Sequence, residues 1–223
     1  ISTVSKNLLE GALIVIFVLV VFLGNLRAGF IVSSVIPLSM LFAFIMMNIF
    51  GVSGNLMSLG ALDFGLIVDG AVIIVEAILH RLHGPTLANK NFLTAKEMDE
   101  TVESSAGKMM NSAVFGQIII LIVYLPILTL EGVEGKMFKP MAQTVIFALL
   151  GAFILSLTYV PMMSALFLSK KITHKKNYAD RMMDKLEAVY DKILKVVLKF
   201  QNPLFFSVLG LFFVSVFIMT KLG

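Results

Sequence analysis

Six apolar runs, each long enough to cross a lipid bilayer, constrain the fold of this sequence more than any other feature. A membrane-spanning helix needs about 20 predominantly apolar residues, and such runs lie at about 8–26, 30–50, 56–79, 111–130, 141–168 and 203–221. In lipid every backbone polar group has to be hydrogen-bonded internally, so open sheet edges are too costly there. The runs therefore predict an all-α membrane protein with six transmembrane helices.

Composition places the chain among integral membrane proteins and excludes several other classes. Of the 223 residues, 58% are hydrophobic and only 14% are charged, whereas about 25% are charged in an ordinary soluble domain. The absence of cysteine excludes disulfide bonds and thiolate metal sites. The chain opens with Ile1, lacks the pattern of a signal peptide and ends directly after an apolar run, so we expect a segment of a longer protein.

The basic residues predict the orientation of the spans. Arg27 and the segments 80–110 and 169–200 carry 1, 4 and 9 Lys or Arg residues, which is 14 of the 18 in the chain. Cytoplasmic loops carry this excess, so that side is predicted to be cytoplasmic and both chain ends periplasmic. These residues lie between apolar runs rather than on a soluble face with interleaved aromatics, so no nucleic-acid partner is expected.

The predicted organisation follows from these boundaries. Residues 1–168 hold five spans and the cytoplasmic segment 80–110, residues 169–202 form a second cytoplasmic segment, and residues 203–223 form the sixth span. Thr94 and Glu97 fit a capping box, which predicts a helix running toward Met109. The stretch 178–200 is amphipathic and predicts a helix on the inner membrane surface. The alternative for that stretch is an ordinary surface helix of a soluble domain.

Three acids, Asp63, Asp69 and Glu76, lie within the predicted span 56–79. A charged side chain at the bilayer centre costs about 2.5–3.5 kcal/mol on insertion scales, so acids there usually have a function. Asp69 and Glu76 are seven residues apart and share a helix face, about 10 Å apart along the axis. Acids stacked through a membrane predict a proton relay. The alternative is structural pairing with buried bases, but the interiors of the spans contain no Lys or Arg.

The same spacing argues against an enzyme. Aspartyl proteases need two carboxyl groups close enough to share a proton, about 3 Å apart, whereas Asp63 and Asp69 are separated by about 9 Å of helical rise. His80 and His83 have the spacing of metal ligands, but they come where the acidic helix ends, where cationic groups are ordinary. No cofactor-binding or metal-ligating residue is therefore predicted.

Small residues and prolines mark special positions in the predicted spans. Gly70, directly after Asp69, favours close helix packing and leaves room for water or a partner side chain. Pro37, Pro126 and Pro161 fall inside spans, and each removes a backbone donor and can kink its helix.

Four segments, 6–11, 36–39, 55–70 and 130–142, carry motifs that are specific to one family. The segment from Asn55 to Gly70, with Asp63, Gly65 and Asp69, resembles the fourth transmembrane helix of the resistance-nodulation-division (RND) family of efflux pumps, most of all its heavy-metal branch of the CzcA type. The segments 6–11 and 36–39 are similar to its second and third helices, and 130–142 is similar to the loop before its sixth. The chain thus resembles helices two to seven of twelve, which is half of an RND transmembrane core with its cytoplasmic-side amphipathic surface helix.

The resemblance implies a function and its partners. It implies a proton-driven secondary transporter, not an enzyme, in the bacterial inner membrane, forming a homotrimer that joins a periplasmic adaptor and an outer-membrane channel. In the CzcA type the carboxylates at the positions of Asp63, Asp69 and Glu76 carry proton coupling. The metal is bound mainly in a periplasmic porter domain outside this chain.

Differences between this chain and other branches of the family limit the substrates that the resemblance implies. Drug exporters have two adjacent aspartates in this helix, whereas here Gly70 follows Asp69. Copper and silver exporters have Met where this chain has Ile67 and Ile74. The resemblance therefore implies export of divalent Zn²⁺, Co²⁺, Cd²⁺ or Ni²⁺. The alternatives are a pump for copper, silver or drugs, and a membrane scaffold that does not transport.

Overall fold

A computed structural model describes residues 2–54, 63–84, 92–170 and 178–222, and these ranges are almost entirely helical. The helices are α1 (Ser2–Leu23), α2 (Leu26–Ile49), α3 (Phe64–Leu82), α4 (Ala95–Leu128), α5 (Gly132–Leu157), α6 (Tyr159–Phe167), α7 (Tyr178–Lys199) and α8 (Gln201–Leu222). Within these ranges there is no β-strand, and only Phe92 forms an isolated bridge. The prediction of an all-α fold is confirmed for this part of the chain.

The chain divides into two compact units, Ile1–Lys175 and Lys176–Gly223. In the first unit α2 packs on α5, and α3 packs on both α4 and α5. Small and β-branched side chains fill the contacts between these helices, and Ala28, Val32, Ala71, Val75 and Ala148 are completely buried. Many other large apolar side chains of these helices are exposed, as expected for helices that face lipid.

The second unit contains α7 and α8. α7 coincides with the predicted amphipathic helix 178–200, and in it Lys195 donates a hydrogen bond from Nζ to Asp191 Oδ2 at 2.5 Å. The aromatic side chains of α8, among them Phe205, Phe212 and Phe217, are exposed. α7 therefore forms where the pattern predicts it, and its place on a membrane surface stays a prediction.

Short turns with side-chain caps connect the helices of the first unit. Gly24 has a φ of 59°, a backbone conformation that glycine adopts without steric cost. Asn25 then caps α2, since its Oδ1 accepts hydrogen bonds from the backbone N–H groups of Arg27 and Ala28 at 3.0 and 3.3 Å. This turn explains how so few residues suffice between the first two apolar runs.

The predicted capping box at Thr94 is confirmed. Its hydroxyl accepts from the backbone N–H of Glu97 at 3.3 Å, and the Glu97 carboxylate accepts from the backbone N–H of Thr94 at 2.9 Å. The helix that begins there does not stop near Met109, however, because α4 continues for 34 residues to Leu128. The predicted cytoplasmic helix and the predicted span 111–130 are therefore one element.

Two further boundaries differ from the sequence prediction. The segment 131–139, which lies between the predicted spans 111–130 and 141–168, is mostly helical because α5 already begins at Gly132. The predicted span 141–168 is broken at Thr158 into α5 and α6. Pro161 lies in the first turn of α6, where a missing N–H is tolerated. The break thus places Pro161 near a helix start, whereas α2 and α4 continue through Pro37 and Pro126.

Four helices in the described ranges are long and apolar enough to cross a membrane: α2, α4, α5 and α8 as far as Lys221. The apolar helical stretch Glu10–Leu23 of α1 is shorter than these four. α3 has 19 residues and includes Asp69, Glu76 and Arg81. The structure thus supports a membrane protein, and the count of six spans stays a prediction.

The contact between α2 and α5 depends on Gly151. A Cβ atom added there would lie 2.8 Å from Cδ1 and 3.0 Å from Cβ of Phe42. Both distances are shorter than van der Waals contact, and Phe42 Cβ is fixed to its backbone. We expect Gly151→Ala to lower the free energy of unfolding by about 1–3 kcal/mol through overpacking, measured by thermal unfolding of the complete protein in detergent.

Gly116→Ala is the matched control for this prediction, because nothing lies within 4 Å of a Cβ added at Gly116. Alanine has the higher helix propensity, by about 1 kcal/mol, so this substitution should leave stability unchanged or raise it. Phe42→Leu should recover part of the stability lost in Gly151→Ala. Equal melting temperatures for Gly151→Ala and Gly116→Ala would contradict the close contact.

Candidate proton-relay site

Asp63 is the N-cap of α3 rather than a residue inside a helix. Its backbone is extended (φ −93°, ψ 108°), and its Oδ1 accepts a hydrogen bond from the backbone N–H of Gly65 at 2.8 Å. The prediction that a single helix over 56–79 carries all three acids is therefore wrong at Asp63, because α3 begins at Phe64. Residues 56–62 of that predicted span lie outside the described ranges. A carboxylate suits this position, since it accepts from unpaired N–H groups and interacts favourably with the helix dipole.

Asp69 and Glu76 lie on the face of α3 that the rest of the unit leaves uncovered. Both side chains are exposed, as the spacing of seven residues predicts for two positions on one helix face. The opposite face is buried against α2, α4 and α5, where Ile67, Ile74 and Ile78 are at most 2% exposed. α3 therefore has one apolar face in the core of the unit and one acidic face directed away from it.

Neither exposed acid of α3 is neutralised by a base in the described part of the chain. The ion pair that the structure records there joins Lys195 to Asp191 on α7. Buried polar residues are hydroxyl and amide side chains, and no Lys or Arg is among them in these ranges. Within the described ranges, the carboxyl groups of Asp69 and Glu76 therefore have no basic partner.

Two polar side chains from other helices lie close to Gly70, the residue that follows Asp69. A Cβ atom added to Gly70 would be 2.8 Å from Nε2 of Gln117 on α4 and 3.1 Å from Oγ of Ser156 on α5. The room beside Gly70 is thus occupied by a partner side chain, one of the two occupants that the sequence suggested. Gln117 was not among the site residues predicted from the sequence. Its signal was an amide in the interior of the apolar run 111–130, in addition to Asn111 at its start.

The two histidines with the spacing of metal ligands, His80 and His83, lie at the C-terminal end of α3. His83 is the C-cap residue, and its Nδ1 lies 2.9 Å from the carbonyl oxygen of Leu79. His80 is exposed in the last turn. Among the described residues, no group of three or more His, Cys, Asp or Glu side chains is placed to hold a metal ion.

The whole chain matches a family, and several curated proteins are similar to most of it. CzcA of Cupriavidus metallidurans, a cobalt-zinc-cadmium resistance protein, is 54% identical over 177 residues, which are 79% of this chain and 17% of CzcA. CnrA of the same organism, a nickel and cobalt resistance protein, is 55% identical over 172 residues, 77% of this chain and 16% of CnrA. HelA of Legionella pneumophila is 46% identical over all 223 residues, 21% of its own length.

Solved structures agree with the curated relatives. A crystal structure of a heavy metal efflux pump is 41% identical and superposes with a TM-score of 0.63, covering 74% of this chain and 15% of that one. The chain thus spans about a fifth or less of the length of these relatives. The model of the AcrB/AcrD/AcrF family matches residues 1–223. This chain therefore belongs to the AcrB/AcrD/AcrF family of transporters and resembles its heavy-metal efflux branch, of the CzcA type.

Proposed function

We propose that this chain is half of the transmembrane core of a pump that exports divalent heavy-metal cations in exchange for protons. The observation that carries the proposal is the acidic face of α3, where Asp69 and Glu76 are exposed on a helix whose other face is buried. The curated relatives named for cobalt, zinc, cadmium and nickel support the substrate class. The pump is a secondary active transporter in the inner membrane.

The spacing of the acids along α3 determines whether a proton can pass directly between their carboxyl groups. Asp69 and Glu76 are about 10 Å apart along the helix axis, which is too far for a direct proton transfer between carboxyl groups. Water or side chains outside this chain must bridge them. In the proposed orientation, with both ends of the chain periplasmic, Asp63 lies nearest the periplasm and Glu76 nearest the cytoplasm. Protons enter at Asp63, pass Asp69 and leave by way of Glu76.

Asp63 couples proton uptake to the start of α3. As a carboxylate it accepts from the Gly65 N–H and interacts favourably with the helix N-terminus. A neutral carboxyl group is a weaker acceptor and loses the charge–dipole attraction. Each proton that arrives at Asp63 therefore loosens the first turn of α3, the helix that carries the next two acids.

The choice of divalent cations over copper and silver has two supports. Ile67 and Ile74 stand where copper and silver exporters have Met, and both are buried in the apolar core. Relatives named for cobalt, zinc, cadmium or nickel are 54–55% identical to this chain over 172–177 residues. The metal is cargo in this proposal and binds mainly in a periplasmic domain outside this chain.

The proposed assembly is that of a tripartite efflux complex. Three copies of the pump form a homotrimer in the inner membrane and join a periplasmic adaptor and an outer-membrane channel. In each copy, residues 1–168 supply five spans, 169–202 a cytoplasmic segment with α7 on the membrane surface, and 203–223 the sixth span. The matched relatives, of which this chain is a small fraction, are long enough to contain the remaining parts.

The relay requires a titratable group at position 69. We expect Asp69→Asn in the complete pump to abolish zinc-driven proton flux in proteoliposomes while the melting temperature stays unchanged, because an amide keeps the shape but carries no proton. The matched control is Asp191→Asn on α7, which removes an exposed carboxylate of the ion pair with Lys195 and should transport normally. Wild-type flux in Asp69→Asn would contradict the relay.

Two substitutions at Asp63 separate its capping role from its proposed proton role. Asp63→Asn keeps an N-cap acceptor, so stability should hold while transport is lost. Asp63→Ala removes the acceptor as well and should cost about 1 kcal/mol of stability in addition. Thermal unfolding and zinc-driven proton flux measure the two effects. Full transport by Asp63→Asn would leave Asp63 with a capping role only.

The proposed orientation is testable with single cysteines, since this chain has none of its own. Val133 on α5 and Tyr190 on α7 are both exposed, and they are predicted to lie on opposite sides of the membrane. In spheroplasts carrying a pump that is otherwise free of cysteine, an impermeant maleimide should label Val133→Cys and spare Tyr190→Cys until the membrane is opened. The reverse pattern would invert the topology.

A further inference from the structure

Gln117 is a buried amide without a hydrogen-bond partner. The side chain is 4% exposed, and neither its Nε2 nor its Oε1 has a partner in the described part of the chain. It lies in the apolar run 111–130 on α4, a helix apolar enough to span a membrane. An amide that is left unpaired in an apolar environment lowers the stability of the fold. A Met or Leu side chain at this position would fill similar space without that cost.

The Gln117 amide approaches α3, the helix that carries Asp69 and Glu76, at Gly70. Its Nε2 lies 2.8 Å from the position of a Cβ on Gly70, and Gly70 directly follows Asp69 on α3. Ser156 Oγ of α5 lies 3.1 Å from that same position. The Ser156 hydroxyl donates its proton to the carbonyl of Phe153 at 2.9 Å, so its lone pairs remain available to an amide N–H. Two polar side chains from two helices thus converge on the backbone beside Asp69.

We propose that Gln117 is a positioning residue for proton coupling, and that its amide, packed on Gly70 beside Ser156, fixes the rotation of α3 that turns Asp69 away from α4 and α5. The inference rests on the proposed function, because Asp69 is the group that Gln117 positions. Its physical basis is that a buried polar side chain lowers stability and in return selects one packing register, as a single buried Asn does in coiled coils. Only a glycine at position 70 allows the amide to approach the backbone of α3 this closely.

This role predicts a combination of effects that ordinary packing does not produce. Gln117→Met keeps the length of the side chain and removes the unpaired amide, so the complete pump should unfold at an equal or higher temperature. With the register of α3 less well defined, the maximal rate of zinc-driven proton flux should fall about three- to thirtyfold. The zinc concentration at half-maximal rate should not change. Gln117→Glu, whose neutral carboxyl group keeps a donor and an acceptor at the same length, should recover most of the rate.

Cysteine labelling measures whether the covered face of α3 stays buried, and this measurement does not depend on transport. Ala71 is completely buried on the covered face of α3. In a pump otherwise free of cysteine, Ala71→Cys should be protected from a membrane-permeant maleimide. Adding Gln117→Met should make it reactive. The matched control is Leu121→Met, one turn further along α4 and packed against the same core, which should change neither the flux nor the labelling.

The outcomes separate this inference from the proposed function. Loss of flux with unchanged stability, labelling at Ala71→Cys and recovery by Gln117→Glu would support the positioning role. Normal flux in Gln117→Met, a melting temperature that falls together with the flux, continued protection of Ala71→Cys, or no recovery in Gln117→Glu would each overturn it. If the wild-type pump shows no proton flux with zinc, cobalt, cadmium or nickel, the proposed function fails, while the labelling still decides whether Gln117 sets the position of α3.

Discussion

The requirement that polar groups find hydrogen-bond partners inside a lipid bilayer determines most of this structure. It makes the backbone helical, because a helix pairs its own N–H and C=O groups. It then concentrates polar side chains at helix ends, where groups remain unpaired. Asn25, Asp63 and Thr94 each cap a helix with a side-chain oxygen. The hydroxyl groups within the helices mostly bond to carbonyls three or four residues back, as Ser39 and Thr144 do.

Exceptions to that requirement are therefore informative, and they gather around α3. Asp69 and Glu76 carry carboxyl groups on a helix that is otherwise apolar in its middle, and Gln117 presents an unpaired amide to the turn that follows Asp69. Unpaired polar groups in a membrane protein usually mark function rather than stability. In the proposed pump the acids carry the protons, and the amide determines which way they face.

Asp63 illustrates how one residue can serve both stability and the proposed transport. As an N-cap it holds the beginning of α3, and as a carboxyl group it is the first acid a periplasmic proton would meet. In the proposed pump, its charge state controls the hydrogen bond that it accepts from the Gly65 N–H. A relay built this way converts proton arrival into a change in a helix terminus, which is the kind of local switch that larger conformational changes require.

The sequence by itself determined the membrane class, the helical fold, the capping box at Thr94 and the shared face of Asp69 and Glu76. These features follow from hydropathy and from spacings within one or two helical turns, which a sequence displays directly. Tertiary structure decided the rest. The extended backbone at Asp63 and the continuity of α4 beyond Met109 are seen only in the folded chain, and the approach of Gln117 to Gly70 joins residues far apart in the sequence. Such contacts arise only when helices pack, because periodicity tells which face is buried and not which side chain it will meet.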